Sequence, residues 1–134
     1  MKFFIDENVT PVVRNTLTAF YRGHQFRTAE DETLRGVDDL DLFADLHMRN
    51  YQAIITQDAQ QLINPDERAA LRAHGLHWIG VPMPKDAGPK SVHVITAALV
   101  AGLSHFLDQV HLDPHLYRLR TAESLLGLPE VERL

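Results

Sequence analysis

The sequence predicts an α/β domain, a central and mostly parallel sheet of four to five strands with helices on both faces. Short apolar runs such as Phe3-Phe4-Ile5 and Ala53-Ile54-Ile55-Thr56 read as buried strands, and longer amphipathic stretches alternate with them. The links are short and carry glycine or proline, as at Gly23, Gly75 and Pro82. At 134 residues the chain has the length of a single domain, 1–134, and 45% apolar residues suffice for one core.

Lys2 to Asp6 predicts the first strand. Thr10-Pro11 reads as N-cap and first helical residue of a helix to about Arg22, which Gly23 closes. Gln25 to Thr28 is a weaker strand pattern, and Ala29 to Gly36 reads as a polar loop. A helix follows from about Asp39 to Arg49, then the clearest strand, Tyr51 to Thr56. Pro65-Asp66 opens a helix that stops near Gly75, and His77 to Val81 is the next strand. Pro82 to Pro89 holds three prolines and reads as a loop. Ser91 is a plausible cap for a long helix to Val110, and Leu116 to Arg120 fits a last strand. The tail from Thr121 to Leu134 is a short helical pattern broken by Gly127 and Pro129, with Leu125, Leu126, Leu128 and Val131 offering an interface.

The chain has no cysteine, which excludes a disulfide framework and thiolate metal sites and fits a cytoplasmic location. The apolar stretch from Val92 to Val110 is interrupted by His93, Thr96, Ser104, His105 and Asp108, so it reads as a buried helix; no membrane association is expected. Its apolar residues cover more than one helix face, as a core helix or a homodimer surface would. The net charge is −5, from 18 acids against 13 bases. That balance argues against a protein that coats nucleic acid by neutralising phosphates, but not against a nuclease acting at one site.

The acidic residues carry the chemical signal. Asp6 ends the first strand and Asp58 follows the clearest one, so a parallel sheet delivers both to its carboxyl edge, where α/β proteins bind ligands. Asp39 shares a helical stripe with Leu42, Phe43 and Leu46, so it enters the core edge and needs a partner there. Carboxylates gathered in this way repel unless a divalent cation holds them. Thr56, two residues before Asp58, lies on the same side of an extended chain and can orient an acid or a water. Glu7 and Asp38 are secondary candidates: Glu7 neighbours Asp6, and one residue of boundary shift exchanges Asp38 with Asp39. Asp38 and Asp41 also resemble a capping pair. Of the basic residues, Arg14 and Lys85 are the first candidates for contacts to a phosphate backbone, ahead of Arg27, Arg35 and Lys90. Trp78 sits mid-strand and reads as a packing residue.

These motifs, in this order, resemble the PIN-like ribonucleases, the group that includes VapC-type toxins. The likeness rests on Phe4-Ile5-Asp6-Glu7-Asn8, Gly23-His24, Gly36 through Asp39 with Leu42, and Ile54-Ile55-Thr56-Gln57-Asp58. The compact branch with Asp-Glu-Asn first and Thr-x-Asp last fits best. The resemblance implies a Mg²⁺ or Mn²⁺ site formed by Asp6, Asp39 and Asp58 with Thr56 in support. It implies RNA hydrolysis by metal-activated water, and a toxin restrained by an antitoxin protein. The pattern departs from relatives after Asp58, where Ala59-Gln60-Gln61-Leu62 stands in place of an acid and an aromatic. A fourth acid is also unassigned, Asp66 and Asp86 being the weak options. Two other functions remain open on the sequence: a receiver-type domain phosphorylated on Asp58 with Lys85 nearby, and a PIN-like domain that binds without catalysis.

Overall fold

A computed structural model describes residues 1–83, 90–121, 131 and 133. The sheet has five strands, all parallel: β1 (Lys2–Ile5), β2 (Gln25–Thr28), β3 (Ala53–Thr56), β4 (His77–Gly80) and β5 (Leu116–Arg118), in the order β2-β1-β3-β4-β5. The helices are α1 (Val13–Phe20), α2 (Ala29–Glu32), α3 (Asp39–Met48), α4 (Gln60–Ile63), α5 (Pro65–Ala73) and α6 (Lys90–Gln109). The predicted α/β class holds, and the sheet is wholly parallel.

Strand alternation explains the two-sided core. Phe3, Ile5, Ala53, Ile55 and Ile79 face α1 and α6, packing with Leu17, Leu99 and Phe106. Phe4, Ile54 and Trp78 face the other way, onto Leu42, Phe43, Leu46 and Leu71 of α3 and α5. Each such side chain contributes roughly 1.5–3 kcal/mol when fully buried. Continuing the β1 and β3 alternation puts Asp6 and Thr56 on the α3 side of the sheet edge.

α6 has a mean hydropathy of 1.3 over Ser91–Gln109, and its length and composition alone would allow a membrane span. Here its stripe of Ile95, Leu99, Leu103 and Phe106 is buried against the sheet. The tail over 122–130, and with it Leu125, Leu126 and Leu128, lies outside the described residues.

Four local expectations are corrected. α1 starts at Val13, because Thr10-Pro11 forms a tight preceding turn in which Val13 N–H bonds the Thr10 carbonyl and Arg14 N–H that of Pro11. No side chain caps that helix. The loop expected from Ala29 contains the one-turn α2, set by a capping box: Thr28 Oγ1 accepts from Asp31 N–H at 3.1 Å, and Asp31 Oδ2 accepts from Thr28 N–H at 2.9 Å. α2 ends on Thr33 in the left-handed region, φ 59°. Asp38 takes the N-cap position of α3 without a side-chain capping bond, so it does not pair with Asp41 in that way. The last strand ends at Arg118 rather than Arg120.

Candidate active site

The strand order reverses between β1 and β3. From β1 the chain runs outward to β2, and from β3 it runs the opposite way to β4. Such a switch point leaves a crevice beyond the carboxyl ends of the two strands. Asp6 and Thr56 stand there side by side, with Asp6 N–H bonded to the Ile55 carbonyl at 2.9 Å. Thr56 Oγ1 donates to Asp6 Oδ2 at 2.7 Å. Asn8 Nδ2 donates to that carboxylate at 3.2 Å and to Thr56 Oγ1 at 3.1 Å, while its Oδ1 accepts from Gln57 N–H at 2.9 Å. Asn8 therefore stitches the turn after β1 to the turn after β3. Glu7 N–H occupies Asp6 Oδ1 at 2.9 Å.

α3 brings the second acid. Leu42, Phe43 and Leu46 are buried as their stripe requires, and this roots Asp39 at the crevice rim. The link between the acids is Gln61, on the unforeseen helix α4. Its side chain is 1% exposed. Gln61 Nε2 donates to Asp39 Oδ1 at 2.9 Å and reaches Asp6 Oδ2 at 3.4 Å. The two carboxylate oxygens are thus no farther apart than the sum of those distances. Gln61 Oε1 accepts from Trp78 Nε1–H at 3.1 Å. Sequence reasoning missed Gln61 because α4, Gln60-Gln61-Leu62-Ile63, is a single turn, too short to show a helical period. Its only trace was the departure from the family pattern after Asp58.

Asp6, Asp39 and Asp58 line one cleft of about 410 Å³, together with Glu7, Asp38 and Gln61. Asp58 is held in its turn by Gln60 N–H on Oδ1 at 2.8 Å, and its own N–H bonds Thr56 Oγ1 at 3.0 Å. Glu7 turns to the loop before α3, where Gly36 N–H donates to its Oε2 at 3.1 Å. Among the described residues, no three acidic or histidine side chains are close enough to enclose an ion by themselves.

Burial pushes the Asp6 carboxyl above its ordinary pKa, and the bonds from Thr56, Glu7 N–H and Gln61 only partly oppose it. Asp39 is pushed up to about 6, first by burial and then by the negative charges of Glu67, Asp6 and Asp58, against the Gln61 bond. Glu67, at the start of α5, does not line the cleft, but its negative charge is near enough to raise Asp39. Asp66 is exposed beside it, and Asp86 lies outside the described residues.

Of the two basic candidates, Arg14 lies among the described residues. Arg14 is turned to Asp31, 2.9 Å away, where it braces α2. Lys85 lies outside the described residues. Arg27 is tied to Glu32 at 2.7 Å. Arg35, exposed and bonded to Glu30 at 2.8 Å with Glu7 at 3.9 Å, lines an adjoining hollow that shares Asp6 and Glu7 with the cleft. Trp78 packs in the core as expected, 4% exposed.

Neither the curated proteins nor the solved structures contain a match to this chain. A family model described as a PIN-like domain matches residues 1–81, more than half the chain and all of the cleft. That fold is of nuclease type. With its parallel five-stranded sheet and the acids of its first motifs at one sheet edge, the chain belongs to the PIN-like domain family.

Proposed function

We propose that this protein is a metal-dependent endoribonuclease. One observation carries the reading: carboxylates from β1 and α3 are drawn together at the sheet's switch point, in a cleft shared with Asp58. Burying and gathering carboxylates costs energy that a bound cation offsets; the raised pKa values of Asp6 and Asp39 record first their burial, with neighbouring negative charge adding to it.

The donor set fits a hard dication. All the candidate ligands are carboxylate oxygens, and Mg²⁺ commonly takes only one or two of them while keeping several waters. A closed three-acid cage is therefore not required. Asp6 and Asp39 would hold Mg²⁺ or Mn²⁺, with Asp58 completing the oxygen set. A bound ion lowers the pKa of water and offsets charge growing on phosphate.

The protein's own residues supply the rest. Thr56 and Asn8 fix the Asp6 carboxylate. Gln61 fixes Asp39. Arg35 offers a guanidinium to the RNA backbone beside the cleft. In the hydrolysis a water oxygen bonds to phosphorus and one P–O ester bond breaks. One proton of the water goes to a carboxylate in the cleft, for which Asp58 is the candidate, and the leaving oxygen keeps the electron pair of the broken P–O bond and takes a proton from bulk water.

The test is cleavage of RNA with Mg²⁺ or Mn²⁺ by the wild type, Asp6→Asn and Asp58→Asn. Loss of at least a hundredfold in both variants supports the reading, and equal cleavage by all three sinks it. The narrower role, a VapC-type toxin held by an antitoxin, rests on motif order alone. It predicts growth arrest on expression that Asp6→Asn abolishes. The absence of a ready three-ligand cluster among the described residues favours a second reading, a PIN-like module that binds without cutting. Calorimetry with Mn²⁺ separates the two, since such a module would show no millimolar binding.

A further inference from the structure

We propose that Gln61 is a positioning residue, an amide clamp that gathers Asp6 and Asp39 for a cation, and that Trp78 locks the clamp the right way round. The inference rests on the metal-site reading above.

The orientation of a glutamine amide is usually assigned rather than seen. Here chemistry fixes it. The Trp78 indole N–H can only donate, so the atom facing it at 3.1 Å must be the Gln61 oxygen. The amide's two N–H groups are then left to the other side, where Asp39 Oδ1 lies at 2.9 Å and Asp6 Oδ2 at 3.4 Å. With the amide reversed, its oxygen would face two carboxylates and its N–H groups would face an N–H, leaving every contact repulsive. Trp78 is the chain's single tryptophan, and it is anchored in the core cluster below the crevice. The lock therefore sits on the rigid sheet and not on a loop.

The clamp spends its two N–H bonds where a cation would place charge, between two acids that repel. It leaves Asp39 Oδ2 without a hydrogen-bond donor among the described residues. The carboxylates are thus close before the ion arrives, and less reorganisation accompanies binding. Gln61 touches the ligands, and Trp78 acts only through Gln61.

The experiment is calorimetric titration of Mn²⁺ alone into the full chain, as wild type, Gln61→Met, Trp78→Phe and the double variant. Each single substitution should weaken Mn²⁺ binding about tenfold or more. The double variant should bind no worse than the weaker single one, because both break one linkage. Trp78→Phe keeps an aromatic ring in the core while removing the indole N–H with part of the bicycle, at a residue that touches no carboxylate, so with its fold checked by circular dichroism it decides the matter even if Gln61→Met fails to fold. Unchanged or tighter binding by Trp78→Phe overturns the clamp while leaving the nuclease reading intact. Additive losses overturn the lock between the two residues. A wild type that does not bind Mn²⁺ removes the metal-site reading and the clamp together.

Discussion

Thr56 Oγ1 lies 2.7 Å from Asp6 Oδ2, a hydrogen bond between residues fifty positions apart that closes the gap between the ends of β3 and β1. Both residues are buried, and the hydroxyl has spent its only proton on the carboxylate. Thr56→Val keeps the shape and removes that donor. We expect a loss of about 1–3 kcal/mol in thermal or urea unfolding, as for a buried bond to a charged group. RNA cleavage should fall by about tenfold, since the carboxylate loses its orientation. A variant that melts lower but cleaves at the wild-type rate would confine Thr56 to a structural role.

Asp39 couples the site to stability with a defined sign. Its folded pKa of about 6 stands above its ordinary value of 3.8. The folded protein therefore binds the extra proton between those values, and stability falls as pH rises through that window. Above it the whole penalty is present. Asp39→Asn should raise the melting temperature of the metal-free protein at about pH 8, and the advantage should vanish at about pH 4. RNA cleavage should be lost at both. An equal melting temperature at high pH would show that the carboxylate carries no penalty there.

Glu32 has the opposite sign. Burial pushes its carboxyl up, but bonds from Arg27 at 2.7 Å, Tyr51 at 2.8 Å and Arg49 at 2.7 Å outweigh that and hold it down at about 2. Its stabilisation is fully present above its ordinary value of 4.5 and is lost as pH falls toward 2. Glu32→Gln should lower stability at neutral pH by about 1–3 kcal/mol. The two proteins should converge in acid unfolding curves near the lower limit. A difference independent of pH would point to packing rather than charge.

Arg35 and Arg14 test the proposed RNA contact against a structural brace. In an Asp6→Asn background, which prevents cutting, Arg35→Ala should weaken RNA binding several-fold and reduce its salt dependence. Arg14→Ala should leave RNA affinity unchanged and cost about 0.2–1 kcal/mol, the usual worth of a partly exposed ion pair. Fluorescence anisotropy at two salt concentrations checks both. The reverse ranking would return the phosphate contact to Arg14.

The sequence by itself determined the α/β class, the strands β1 and β3, and the delivery of Asp6 and Asp58 to one sheet edge. The physical reason is local: buried strands must be apolar, and the first polar residues after them mark the carboxyl ends. The stripe of Leu42, Phe43 and Leu46 likewise fixed where α3 would lay Asp39. The tertiary structure alone decided what joins these parts. That β1 and β3 are neighbours at the switch point depends on strand order, which no single segment encodes. Gln61 and Trp78 became part of the site only when α4 and β4 packed beside it, with Glu67 of α5 adding negative charge near Asp39. Arg14 was drawn away by Asp31 on a helix whose capping box is written in polar residues that mimic a loop. Periodicity reports which side chains leave water, but the partner of a buried polar group is chosen by segments distant in the chain.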